Sequence, residues 1–276
     1  MRIMEFGPEN GQQVMLIHGE HARWDIFLPA MEPLVKTCRV LIPVLDGFDA
    51  EAEKQADFPG VEKAADQICQ WLEEHGKTHL LGVYGISLGG SIAFQMLSRE
   101  QLSVDRCVME GAIMPSDRMK AAVRAQILVK EGLTSFQKRL PGTVMARLAS
   151  AGPSTMEELL KTHELMRSLS RETMRQINRS CLCAPIPKAL PAVRESALYM
   201  YAQGESQDRY QDIQFLHRRF PEIPVLVLSG LCHAELLFKH PDIFGDYLSR
   251  LFIEDGYMPQ RKEKAHEDCG PDLAEG

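Results

Sequence analysis

Residues 79–100 read HLLGVYGISLGGSIAFQMLSRE. The run His79–Gly85 is continuously apolar and reads as a buried strand, and from Leu88 onward apolar residues recur at helical spacing. Between them stands Gly85-Ile86-Ser87-Leu88-Gly89. A strand that passes straight into a helix makes a turn too sharp for side chains on both sides of its central residue. That accounts for Gly85 and Gly89, and it forces Ser87 into a strained conformation with its hydroxyl exposed. The helix that follows aims the positive end of its dipole at the same place. Ser87 is therefore a candidate nucleophile.

Working outward, other short apolar runs repeat the pattern: MRIMEF at the start, VMLIH (14–18), RVLIPVL (39–45), RCVMEGA (106–112), ALYMYAQ (197–203) and PVLVLSG (224–230). Most are unbroken rather than alternating, as expected of strands covered on both faces of a parallel sheet. Helical stripes lie between them: Trp24, Phe27, Ala30, Met31 and Leu34; Val61, Ala64, Ala65, Ile68 and Leu72; Ile243, Phe244, Tyr247, Leu248 and Leu251. Alternating strands and helices predict an α/β fold with a mostly parallel, doubly wound sheet. The alternation stops between 115 and 195, which reads as a helical cap inserted between core segments 1–114 and 196–255. Its methionines, together with Met114 (Met119, Met145, Met156, Met166, Met174), are candidates either for an adaptable apolar pocket or for ordinary packing. Residues 256–276 are polar and read as a flexible tail.

Composition narrows the function. The 276 residues are 45% hydrophobic and 25% charged, with a formal net charge of −7. An acidic chain without a basic stripe argues against nucleic acid as a partner. No apolar run approaches a membrane span and no basic amphipathic helix stands out, so no membrane partner is expected. The start of the chain lacks the pattern of a secretory leader, and seven cysteines, an odd number, fit reduced thiols in a cytoplasmic protein. Cys181-Leu-Cys183 has no second ligand pair near it, so no metal is expected.

In an open parallel sheet, ligands collect at the carboxyl ends of the strands. Those ends carry His18-Gly19-Glu20, Asp46-Gly47, Ser87, Glu110-Gly111, Gly204-Glu205-Ser206-Gln207-Asp208 and Gly230-Leu231-Cys232-His233. With VMLIHG followed by Trp24, GISLGG, and VLVLSGLCHAELLFKHPDIF in that order, the chain resembles the α/β-hydrolase superfamily over about 1–114 and 196–255. The resemblance implies the α/β-hydrolase fold and a Ser-His-acid triad with an oxyanion hole, and needs no cofactor. Ser87 falls at the family's nucleophile and His233 at its late histidine. Glu20 and Leu88 would supply the oxyanion-hole N–H groups, with the Glu20 carboxylate turned aside, Arg23 being a candidate partner. His18 would shape that turn, and His240, before Pro241, reads as a loop or helix-start residue.

The acid departs from the family pattern. Counting Gly-x-x-acid from Gly204 reaches Gln207. Asp208, one residue on, is the preferred acid, with Glu205 and Glu110 as alternatives. The function so implied is a serine hydrolase acting on a small to medium carboxylic ester or related acyl substrate. The same triad serves thioesterases, amidases, C–C hydrolases and acyltransferases, and a hydrolase fold also serves as a catalytically weak binding module. The oligomeric state is left open.

Overall fold

The computed structural model describes residues 1–20, 22–49, 51–52, 56–117, 120–144 and 156–254, with side chains of 156–159 excepted. The sequence readings for residues 256–276, for Met119 and Met145 and for the Met156 side chain lie outside the described residues.

Seven strands form one sheet: β1 (Arg2–Phe6), β2 (Gln12–Ile17), β3 (Cys38–Val44), β4 (His79–Ile86), β5 (Ser103–Glu110), β6 (Val193–Ala202) and β7 (Val225–Leu228), in the order β1-β3-β2-β4-β5-β6-β7. Only β1 pairs antiparallel, against β3; every other pairing is parallel. Each strand grows from one of the apolar runs. Alternate residues feed opposite cores: Met15 and Ile17 pack with Val83, Ile92 and Phe94, whereas Val14 and Leu16 pack with Tyr84, Phe244 and Leu248. Where both faces are buried, toward the carboxyl ends of the central strands, no position suits an unpaired polar side chain, which is why those stretches read as unbroken apolar runs.

Helices α2 (Val61–Glu74) and α3 (Leu88–Met96) cover the first face. The second is covered by α1 (Glu32–Val35) and α9 (Pro241–Ile253), with Gly245 of α9 packed so closely that a Cβ there would lie 2.0 Å from the Ala30 carbonyl. The stripe Trp24–Leu34 is not one helix. It forms a 3₁₀ turn, Trp24–Phe27, followed after Pro29 by the single turn α1; Pro29 has no N–H with which to continue a helical hydrogen-bond ladder. Phe27, Ala30 and Leu34 still reach the core, so the stripe's burial holds although its helix does not.

Between β5 and β6 the described residues are helical: α4 (Lys120–Arg139), α5 (Met156–Ser168) and α6 (Arg171–Cys183). Then α7 (Ser206–Arg219) follows β6, and the short α8 (Glu235–Lys239) follows β7. Met114, Met166 and Met174 are buried in the main core and serve packing, with Met114 and Met174 each also reaching a cavity wall. The six described cysteines are unbonded. Among the described residues no helix is long and apolar enough to cross a membrane, and no group of three or more His, Cys, Asp or Glu is placed to hold a metal ion.

Candidate active site

Ser87 joins β4 to α3 with φ 53° and ψ −116°, one of two non-glycine residues with positive φ among those described. Such a conformation costs on the order of 1–3 kcal/mol and persists only where neighbours impose it. Those neighbours are visible. The Ser87 N–H donates to the Glu110 carbonyl at 2.7 Å, and the Ser87 carbonyl accepts from Ser91 N–H at 3.1 Å. A Cβ at Gly85 would lie 2.3 Å from the Gly89 carbonyl oxygen, and one at Gly89 2.1 Å from that of Ile17. Both glycines are thus required by close backbone approach. Leu88 opens α3, so its N–H has no acceptor within the helix.

The loop after β2 lies against this turn. A Cβ at Gly19 would come 3.3 Å from Cβ of Ser87. His18 is fully buried, its Nδ1–H donates to the Gly19 carbonyl at 3.0 Å, and its ring meets Phe48 edge-on. Burial pushes its pKa down to about 4, outweighing that hydrogen bond, so it is neutral and fixes the loop. The Glu20 carboxylate turns toward Lys130 of α4, at 3.7 Å, and not toward Arg23, which pairs with Asp25 at 3.3 Å.

His233 follows β7, just before α8. Its Nδ1 lies 2.8 Å from Oε1 of Glu205. The Gly204 N–H donates to the Leu231 carbonyl at 3.0 Å and ties the two loops together. Gly111, at φ 55°, backs the pair: a Cβ there would lie 2.9 Å from the His233 ring and 3.1 Å from Glu205. Since Ser87 bonds the carbonyl of Glu110 and His233 rests on Gly111, both flank the end of β5. Burial disfavours the charged imidazole, but the hydrogen bond to Glu205, its charge and that of Glu110 outweigh it and hold His233 above its ordinary pKa. Burial alone would raise the Glu205 carboxyl; His233, Arg209 and the Ala202 N–H lower it on balance.

The preferred acid of the sequence reading is therefore not the residue placed on the histidine. β6 ends at Ala202, and the 3₁₀ turn Gln203–Glu205 swings Glu205 under the ring. Asp208 already belongs to the first turn of α7 and lines a separate cavity of about 230 Å³. Glu110 is buried beside the pair and accepts from the Tyr84 hydroxyl at 2.6 Å, and burial raises its pKa. His240 stands at the N-cap position of α9, without a side-chain capping hydrogen bond.

Two residues escaped the sequence reading. Arg209 places Nε 3.7 Å from Glu205 and Nη1 3.3 Å from Asp212, and donates to the Gly111 carbonyl at 3.1 Å. Asp212 accepts from Met114 N–H at 2.7 Å, and burial pushes its pKa up to about 6 against the Arg209 charge. The sequence did hold a signal: Glu205, Arg209 and Asp212 have the i, i+4, i+7 spacing of one helical face.

Residues 13–231 match a family described as having the alpha/beta hydrolase fold. No curated protein matches the sequence. Among solved structures, the chain is similar to a putative alpha/beta hydrolase family protein from Desulfitobacterium hafniense, at 22% identity and TM-score 0.66, covering 91% of this chain and 98% of that one. It is also similar to a thermophilic esterase from Thermogutta terrifontis (17% identity, TM-score 0.66, 91% and 93% covered). A bromoperoxidase from Bacillus anthracis is a third such structure (16% identity, TM-score 0.69, 92% and 95% covered). These likenesses rest on the fold, and with the match over most of its length, the chain belongs to the alpha/beta hydrolase family.

Proposed function

We propose that this hydrolase cleaves a small to medium carboxylic ester, or a related acyl substrate, through Ser87, His233 and Glu205. The observation that carries the reading is the 2.8 Å pairing of His233 Nδ1 with a buried carboxylate, at the end of β5 where the Ser87 N–H, on a serine held at positive φ, also bonds. Glu205 takes the place in the triad that the sequence reading offered first to Asp208. The esterase among the similar structures is in keeping with an ester substrate.

Glu205 keeps the proton on Nδ1, so Nε2 is the basic nitrogen. It takes the Ser87 proton as Oγ attacks the carbonyl carbon. The carbonyl electrons move to oxygen, and the N–H groups of Leu88 and Glu20 hold that oxyanion. The tetrahedral intermediate collapses by expelling the alkoxide, which leaves as the alcohol with the proton from His233. Water, deprotonated by His233, then attacks the acyl-Ser87 ester, and collapse releases the acid and returns the proton to Ser87. No metal or organic cofactor takes part. Pairing of Glu20 with Lys130 keeps its carboxylate off the developing anion. In this reading the described helices α4, α5 and α6 form a cap.

Labelling with a fluorophosphonate probe tests this. The native chain should label, and Ser87→Ala and His233→Ala should not. Labelling of Ser87→Ala at the native rate would remove the serine from the chemistry. A panel of ester, thioester, amide and C–C substrates then separates the reactions this triad can run.

A further inference from the structure

We propose that α4 docks the protein on an anionic phospholipid surface, an association independent of the acyl chemistry above. The helix has two apolar faces. Val123, Ile127 and Thr134 point inward and are buried. The opposite face is also apolar and lies in solvent: Leu128, Val129, Leu133 and Phe136 are 68%, 63%, 58% and 60% exposed. Ala121, Ala125 and Gly132, all exposed, complete the same side. An outward stripe of four large apolar side chains along a helix about 30 Å long is more than a scatter of single surface residues, and such patches mark interaction sites.

The charge around the stripe selects the partner. Within a chain of net charge −7, α4 carries Lys120, Arg124, Lys130, Lys138 and Arg139 against a single acid, Glu131. Beside the stripe, and sharing Leu128 with it, α4 and α6 enclose an open groove of about 860 Å³. Leu182 and Ile186 line it, and Lys120, Arg124 and Arg179, all exposed, stand along it with Glu131. An apolar stripe next to an apolar groove bearing three cations matches acyl chains under anionic headgroups. A second copy of the chain fits less well, because pairing α4 with α4 would oppose two helices that each carry a net charge of +4. The inference departs from the expectation of no membrane partner. In the sequence this stretch reads only as a helical segment of the cap insertion.

Co-sedimentation with extruded vesicles decides the matter. The native protein should pellet with 1:1 phosphatidylglycerol–phosphatidylcholine vesicles at low salt and remain in the supernatant with pure phosphatidylcholine. Each Lys or Arg at such a surface contributes about fivefold in partitioning, so Lys120→Gln/Arg124→Gln/Arg179→Gln should weaken binding about 100-fold. Leu133→Ser/Phe136→Ser should weaken it at least ~10-fold with unchanged circular dichroism, since both side chains are solvent-exposed in the free protein. No partitioning of the native protein, equal partitioning into both vesicle types, or unchanged binding by the cation variant would overturn the proposal. So would a dimer in analytical ultracentrifugation that Leu133→Ser/Phe136→Ser dissociates, which would assign the stripe to a second copy.

Discussion

Replacing Glu205 with glutamine is the sharpest perturbation of the proposed centre. The substitution keeps the size of a side chain that is 9% exposed, but removes the charge 2.8 Å from His233 Nδ1. Two effects combine. An amide can present N–H where the carboxylate presented only acceptors, so the imidazole is driven to the tautomer that cannot take the Ser87 proton. The imidazolium formed during attack also loses its counter-charge, and Glu110, whose pKa burial raises, is a poor replacement. By analogy with triad acids, kcat/KM should fall on the order of 10⁴-fold, or about 5.5 kcal/mol. Asp208→Asn, at a first-turn position of α7 that the structure does not set against His233, should change the rate by no more than about twofold. The pH profile gives a second readout. Glu205 raises the His233 pKa, so the acid limb of residual kcat/KM should move to lower pH in Glu205→Gln. The assay is kcat/KM against pH on a p-nitrophenyl ester for all three proteins, with circular dichroism to verify folding. A folded Glu205→Gln within tenfold of native activity, or a 10⁴-fold loss in Asp208→Asn instead, would refute the assignment.

Other expectations follow from the same geometry. Ser87→Gly should be inert to the fluorophosphonate yet no less stable than native. Release of strain worth on the order of 1–3 kcal/mol outweighs the roughly 0.5–1 kcal/mol entropy cost of glycine, and a marked fall in Tm would contradict it. Gly111→Ala forces a Cβ to 2.9 Å from His233 at φ 55°, so activity should drop at least ~100-fold by misplacement of the ring while the protein still folds; unchanged kinetics would show that the ring has room. Arg209→Gln removes a charge that lowers the His233 pKa, so the acid limb should shift to higher pH, the reverse of Glu205→Gln. The same change leaves Asp212 buried without its cation and should cost about 3–5 kcal/mol in denaturant unfolding. The Glu205–His233 pair also links stability to pH. The lowered carboxyl contributes above its ordinary value of about 4.3 and loses that as pH falls through the lowered one; the raised imidazole contributes below about 6.5 and loses that as pH rises through the raised one. The Tm difference between native and Glu205→Gln should therefore peak between about pH 4.3 and 6.5.

What the sequence determined by itself was local in origin. Seven apolar runs became seven strands because the central, doubly covered part of a parallel sheet demands consecutive apolar residues, and that demand is written in contiguous sequence. The turn at Ser87 was legible because its pattern lies within five residues: a Cβ at Gly85 would meet the Gly89 carbonyl, although Gly89 itself is required by the approach of Ile17 from β2, a contact that only the tertiary structure makes. What tertiary structure decided was anything that depends on where a chain leaving a strand turns next. Glu205 and Asp208 are three residues apart, and only the 3₁₀ turn after Ala202, tied to the Leu231 carbonyl, puts the former under His233 and sends the latter into a helix. The Glu20 carboxylate found Lys130, more than a hundred residues away, rather than the nearby Arg23. In α4 the sequence records two apolar faces, but which of them meets the core and which meets solvent is fixed by the elements packed around the helix, and no residue within it carries that information.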